Sequence, residues 1–244
     1  MLRIGWFCLM VLPALAGLTG GNGRVQPVSE TRDPMLDRRL AMVSGQIESR
    51  GVRHEAVLEA MRTVPRHRFV PEGVRREAYQ DGPLPIGHRQ TISQPYIVAL
   101  MTELLRPEKS MKVLEVGTGS GYQAAVLAEC VGEVYTIEIV RELGIEAAGL
   151  LDSLGYENVH TRIGDGYDGW PEQAPFDGIL VTAAPAKVPP PLKEQLVVGG
   201  RLVIPVGRGG QDLVVITRTE KGFVERIVTP VRFVPMTGKA EGKP

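Results

Sequence analysis

Apolar positions along this chain change period several times, and each change marks an element. From Met35 to Glu48 they fall at Met35, Leu36, Leu40, Val43 and Ile47, a helical spacing that predicts an amphipathic helix with Arg38 and Arg39 outward and Gly51 as its stop. A second helix is expected over 54–61, with Ala56, Val57, Leu58, Ala60 and Met61, ending before Pro65. Over 79–96 the period disappears. YQDGPLPIGHRQTISQPY holds three prolines and two glycines, which predicts a long irregular loop, and loops of that length in a compact domain are usually functional. It feeds a helix over 95–105, with Pro95 in the first turn and Gln94 or Ser93 at the cap. Ser93 then reads either as that cap or as a hydroxyl held beside a binding site.

From residue 111 the pattern becomes an alternation of short apolar runs and helical stretches. MKVLEVGTGSGYQAAVLAECVGEVYTIEI reads as strand, glycine turn, helix and second strand. Val113, Leu114 and Val116 suit a parallel strand buried on both faces, and Gly117-Thr118-Gly119-Ser120-Gly121 makes a tight turn whose helix, starting near Tyr122, aims free N–H groups at a ligand. The alternation continues with a helix over 140–154, strands over 159–163, 176–181 and 196–206, and two antiparallel closing strands over 212–218 and 223–228, with Gly199-Gly200 as a bend or bulge. The tail from Thr237 is polar and is expected to fray.

Three acids sharpen the site. Glu115 lies inside an apolar strand, where an unpaired carboxylate is costly and a cationic or amide partner would relieve it. Glu138 ends the second strand, 17 residues after Gly121, where a carboxylate can accept both hydroxyls of a ribose. Asp165, between Gly164 and Gly166, sits at the carboxyl end of its strand and could meet an adenine amino group or merely shape the turn. The turn is GxGxG, not the dinucleotide GxGxxG, so an adenosyl cofactor fits better than NAD.

Composition narrows the class. The chain of 244 residues is 43% hydrophobic, enough for one ample core, and its 28 basic and 28 acidic residues cancel, which gives no electrostatic drive towards nucleic acid or an anionic membrane. Residues 1–16 read as a secretory signal, with Arg3, an apolar run from Ile4 to Leu15 and Ala14-Leu15-Ala16 as a cleavage site; polar linker follows to Pro34. The alternative is translation from Met35. Cys130 reads as a small core residue, and His54, His67 and His88 share no metal-ligand spacing.

TISQPYIVALM at 91–101, VLEVGTGSGYQAAVLA at 113–128, Thr136-Ile137-Glu138, GDGYDGW at 164–170, FDGILVTAAP at 176–185, RLVIPVG at 201–207 and VRFVP at 231–235 together resemble the protein-L-isoaspartate (D-aspartate) O-methyltransferase family. The likeness covers about residues 35–236, and ISQP and VRFVP are particular to that family. It implies an α/β fold, a three-layer Rossmann-like, seven-stranded S-adenosylmethionine-dependent methyltransferase sheet with an N-terminal helical addition. The divisions would be a signal and linker over 1–34, a helical cap and substrate loop over 35–107, the S-adenosyl-L-methionine-binding core over 108–236 and a flexible tail over 237–244. The cofactor contacts implied are Glu115, Gly117, Thr118, Gly119, Ser120, Gly121, Glu138, Ile139, Asp165 and Gly166. Ser93 matches the active-site serine; Thr91, Gln94, Val231 and Phe233 join it as substrate contacts, the last two within a segment 231–234 that holds the peptide. Substrates would be damaged proteins and peptides containing isoaspartate, with no metal, no nucleic acid, no stable membrane association and a monomeric enzyme. S-adenosylmethionine is made in the cytosol, so a cytoplasmic location is expected, with export to the periplasm as the alternative.

Overall fold

A computed structural model of the chain describes Asp33 and residues 35–242; the signal and linker expected over 1–34 otherwise lie outside the described residues. Residues 34–244 form one compact unit. The first predicted helix is α1, Leu36–Met42, which passes into a π-helical turn at Val43–Ile47 and a 3-10 turn at Glu48–Arg50. It stops where expected, at Gly51 with φ +96°. Arg38 is exposed as anticipated, but Arg39 turns inward: its Nε donates to the Arg62 carbonyl and its Nη1 to the Tyr79 hydroxyl. Those acceptors lie beneath the helix, so the buried guanidinium is hydrogen bonded where outward exposure was expected. The second helix, α2, spans Glu55–Thr63.

The stretch 79–96 is more regular than its composition suggests. Strands β1, Leu84–Gly87, and β2, Gln90–Ile92, pair antiparallel about a turn in which His88 and Arg89 both hold positive φ. That backbone is the usual hairpin turn, carried here by residues other than the Asn-Gly or Asp-Gly pairs that would have announced it. Helix α3, Pro95–Leu105, follows.

The remaining chain builds the sheet from β3 (Lys112–Val116), β4 (Glu133–Glu138), β5 (Val159–Ile163), β6 (Phe176–Val181), β7 (Leu196–Val206), β8 (Gln211–Thr219) and β9 (Gly222–Val231). Their order is β5-β4-β3-β6-β7-β8-β9. The first five run parallel, and β8 is antiparallel to both neighbours. The expected bulge is present: register shifts between β6 and β7, and Gly199 has φ +89°.

Strand alternation sends side chains to two cores. Val113, Val134, Leu180, Val203 and Val215 face the side covered by α2, α3, α4 (Tyr122–Cys130) and α5 (Arg141–Ser153). Leu114, Val116, Ile137, Ile179, Val181, Leu202 and Ile204 face the other, thinner layer with Leu192 of α6 (Pro190–Glu194), Trp170 and Met236. Three layers result, and the N-terminal helices share the first core with the sheet. Since β3 has β4 on one side and β6 on the other, strand order reverses there, and open α/β sheets bind ligands beyond the carboxyl ends at such a point.

Candidate active site

The turn after β3 is shaped by glycine. Gly117, Gly119 and Gly121 have φ of +98°, +53° and +87°, a region that L side chains rarely adopt. Gly117 is also packed: a Cβ there would lie 2.3 Å from Oγ1 of Thr182, which donates to the Gly117 carbonyl at 2.6 Å. The turn therefore lies flat against the end of β6, and a cleft opens above it.

Two carboxylates border this cleft. Glu138, nearly buried, accepts from the Gly119 N–H through Oε2 and from the Val140 N–H through Oε1, both at 2.8 Å. Each oxygen keeps a lone pair, and the side chain is fixed against the glycine turn. Asp165 accepts from the Tyr167 N–H at 2.9 Å and, through Oδ2, from the Lys239 N–H at 2.8 Å. The polar tail expected to fray from Thr237 thus includes a 3-10 turn, Gly238–Glu241, held over the cleft and tied further by an ion pair from Lys239 to Asp168. Gly166 sits against β3, where a Cβ would come within 2.3 Å of Val116 Cγ1.

The lining brings together Gly117, Thr118, Gly119, Ser120, Glu138, Ile139, Asp165 and Gly166 with Thr91 and Ser93. Gly121 shapes the turn from below, against Leu151. Glu115 lies elsewhere: it is fully buried behind the turn and is absent from the lining. Its relief comes from neither a cation nor an amide. Oε2 accepts the Thr136 hydroxyl, which in turn shares a 2.6 Å hydrogen bond with that of Thr118, while Oε1 has no partner among the described residues. Burial, reinforced by the nearby Glu138, pushes the carboxyl up to about 8.

A second groove meets the first. Thr91, Ser93, Gln94, Val231 and Phe233 line it with Pro83, Ile97 and Arg232. Thr91, Ser93, Thr182 and Val234 belong to both hollows, so these four mark the junction. Ser93 does not cap α3. Gln94 occupies that position without a side-chain cap bond and instead donates to Asp81 at 2.7 Å, and the Ser93 hydroxyl has no hydrogen bond among the described residues. The Ser93 backbone is pinned from below by Arg66, whose Nη2 donates to its carbonyl at 2.7 Å and whose Nε donates to that of Ala78. That guanidinium is fully buried, 4.8 Å from the Tyr122 ring, and burial lowers its pKa.

Thr182, Arg66 and the segment 235–237 are site residues that the sequence did not single out. Thr182 is marked in the sequence only by its place at the carboxyl end of the strand over 176–181, within FDGILVTAAP. Arg66 lies in the run RHR, with nothing in its spacing to mark it as buried.

The cleft suits an adenosyl group. Its floor is apolar, with Val116, Ile137, Ile139 and Met236; its rim carries Glu138 and Asp165; and no lysine or arginine is among the described residues that line it. A pyrophosphate would meet two carboxylates and no cation, whereas a sulfonium nucleoside would be attracted.

The family model of protein-L-isoaspartate (D-aspartate) O-methyltransferase matches residues 37–241. A protein-L-isoaspartate O-methyltransferase of Gloeobacter violaceus is 60% identical over 198 residues, which are 80% of this chain and 97% of that one. A solved protein-L-isoaspartate O-methyltransferase superposes with a TM-score of 0.76 at 30% identity, covering 84% of this chain and 67% of that one. A Plasmodium falciparum protein, a candidate member of the same enzyme class solved with S-adenosyl-L-homocysteine, has the same fold, with a TM-score of 0.70 at 24% identity over 82% of this chain and 98% of that one.

Proposed function

Since the chain belongs to the protein-L-isoaspartate (D-aspartate) O-methyltransferase family, we propose that its two hollows are the halves of one carboxyl-methylation site, one for cofactor and one for peptide. The enzyme transfers a methyl group from S-adenosyl-L-methionine to the free α-carboxylate of L-isoaspartyl, and D-aspartyl, residues in damaged proteins; the ester then closes to a succinimide that reopens in part to aspartate. The observation that carries the two-part reading is the junction, where Ser93 and Thr182 border both hollows. When bound, S-adenosyl-L-methionine supplies an electrophilic methyl on a sulfonium. Glu138 would take the ribose hydroxyls on its remaining lone pairs, Ile139 and Gly166 would face the adenine beside Asp165, and the glycine turn would admit the methionine part.

A carboxylate is already ionised at neutral pH, so no general base is required. Rate then comes from alignment, which can supply roughly 7–11 kcal/mol in favourable cases. Ser93 is well placed to impose it, because its free hydroxyl can donate to the substrate carboxylate and hold it in line, with no covalent intermediate. Segment 231–234 would grip the peptide by backbone pairing, as in strand addition. Among the described residues no helix is long and apolar enough to cross a membrane. We further propose that the enzyme acts as a monomer in the cytoplasm, where its methyl donor is made, without nucleic acid or metal. The test is methylation of an isoaspartyl peptide beside its aspartyl twin by residues 35–244. Only the first should be labelled, and equal labelling would overturn the substrate assignment.

A further inference from the structure

The ladder between β8 and β9 ends at the pair Gln211 and Val231. Beyond it the loop 207–210 leads the chain away, with Gly207 and Gly209 at φ +140° and +85°, so no residue of β8 stands opposite Phe233. The Phe233 backbone is nevertheless paired. Its N–H donates to Oε1 of Gln211 at 2.6 Å, and its carbonyl accepts from Nε2 of the same side chain at 3.1 Å. A primary amide offers a donor and an acceptor in the arrangement of a peptide group, so Gln211 supplies one extra rung to a strand that has run out.

The rung decides which way its neighbours point. Successive residues of an extended chain direct their backbone groups to opposite edges. With Phe233 held towards β8, this alternation would turn the N–H and carbonyl of Arg232 the other way, and Arg232 lines the groove that Ser93 and Thr182 border. Neither group of Arg232 is hydrogen bonded among the described residues.

We propose that Gln211 is a positioning residue for the substrate peptide: by standing in for the missing β8 residue, it holds the Arg232 backbone as an open rung for an extended chain. This rests on the reading of 231–234 as the peptide-gripping segment.

The test measures kinetics on an isoaspartyl hexapeptide, together with calorimetric affinities for that peptide and for S-adenosyl-L-homocysteine. Gln211→Met keeps the volume and removes both hydrogen bonds. It should raise the peptide KM and Kd by about tenfold while kcat and the affinity for S-adenosyl-L-homocysteine stay within about twofold. Gln211→Glu accepts from Phe233 but donates only when protonated, so its KM relative to the parent should improve as pH falls from 7 to 5, a recovery that a merely structural role would not produce. Arg232→Pro deletes the N–H facing the groove and tests the underlying reading separately. If Arg232→Pro leaves peptide affinity unchanged, the gripping segment itself is misassigned. If Arg232→Pro weakens the peptide and Gln211→Met does not, or if Gln211→Met lowers kcat and melting temperature at constant KM, the positioning role is overturned. A pH-independent deficit in Gln211→Glu would overturn it too.

Discussion

The cofactor cleft and the peptide groove share four residues and are built in opposite ways. The cleft stands on carboxyl ends of parallel strands: the turn after β3, Glu138 at the end of β4, Asp165 after β5 and Thr182 after β6. Glu138, Asp165 and Thr182 each stand at or just beyond the end of a sheet strand and are hydrogen bonded to backbone groups. The groove is assembled from a hairpin, the start of α3 and a strand end that runs out of partners. Rigidity on one side and borrowed order on the other suit their ligands, since one cofactor never varies and the damaged peptides do.

The sharpest way to break this comparison is to press on Thr182, which borders both hollows, from the turn packed against it. Gly117→Ala places a Cβ 2.3 Å from Oγ1 of Thr182, in backbone at φ +98°. The strain of that conformation alone is about 1–2 kcal/mol, and the contact adds to it. We expect cofactor affinity to fall by about a hundredfold or more and turnover with it. A calorimetric titration that found the parent affinity would show the turn to be plastic.

Glu138→Ala should come next. It removes the two charge-assisted bonds proposed to the ribose, each worth about 1.5–3 kcal/mol, so affinity should drop by at least about tenfold. It also leaves the Gly119 and Val140 N–H groups without the acceptor they now share. Parental binding in this variant would remove the ribose from its neighbourhood. Peptide KM at saturating cofactor should move little, which keeps the two halves separable.

Ser93→Ala tests the junction. With no cap bond to lose, the variant should fold like its parent, while turnover falls by about 1–3 kcal/mol of orientation and hydrogen bonding, at nearly unchanged affinity for S-adenosyl-L-homocysteine. Ser93→Asp should be inactive, because its carboxylate would repel the substrate's own; an active Asp variant defeats the proposed role.

The same contrast decides what could be read from sequence. The proposed cofactor contacts fall in one strand-turn-helix-strand unit plus two strand ends, so local rules about glycine turns and terminal acids reach most of them. The pattern left Ser93 open between helix cap and site hydroxyl, and only the family likeness pointed to Val231 and Phe233, because residues so far apart in the chain meet only through topology. Gln211 and Arg66 show the limit. Each acts by hydrogen bonding a distant backbone group, and nothing about a glutamine after a glycine loop or an arginine after a proline announces which carbonyl it will find. The hairpin over 84–92 was hidden for a related reason, since Pro85 and Gly87 read as loop while the pairing that orders them is local but atypical.

Glu115 should have the smallest effect on turnover and the most telling one on stability. The family likeness implied that it is a cofactor contact, whereas it lies behind the turn, buried and half unpartnered, with its carboxyl raised from 4.5 to about 8. A folded state that holds a proton the unfolded chain releases gains stability from it below the unfolded pKa. That gain is lost progressively as pH rises from about 4.5 to about 8, at up to about 1.4 kcal/mol per pH unit. Glu115→Gln keeps an acceptor for the Thr136 hydroxyl and cannot ionise, so denaturant unfolding should show the variant gaining on the parent between pH 5 and pH 8. Cofactor affinity at pH 6, where the parent carboxyl is neutral as well, should stay within about twofold. Parallel stability curves would mean that the carboxyl is ionised in the native protein and carries its charge towards the cleft through Thr136 and Thr118, which would return Glu115 to the cofactor site.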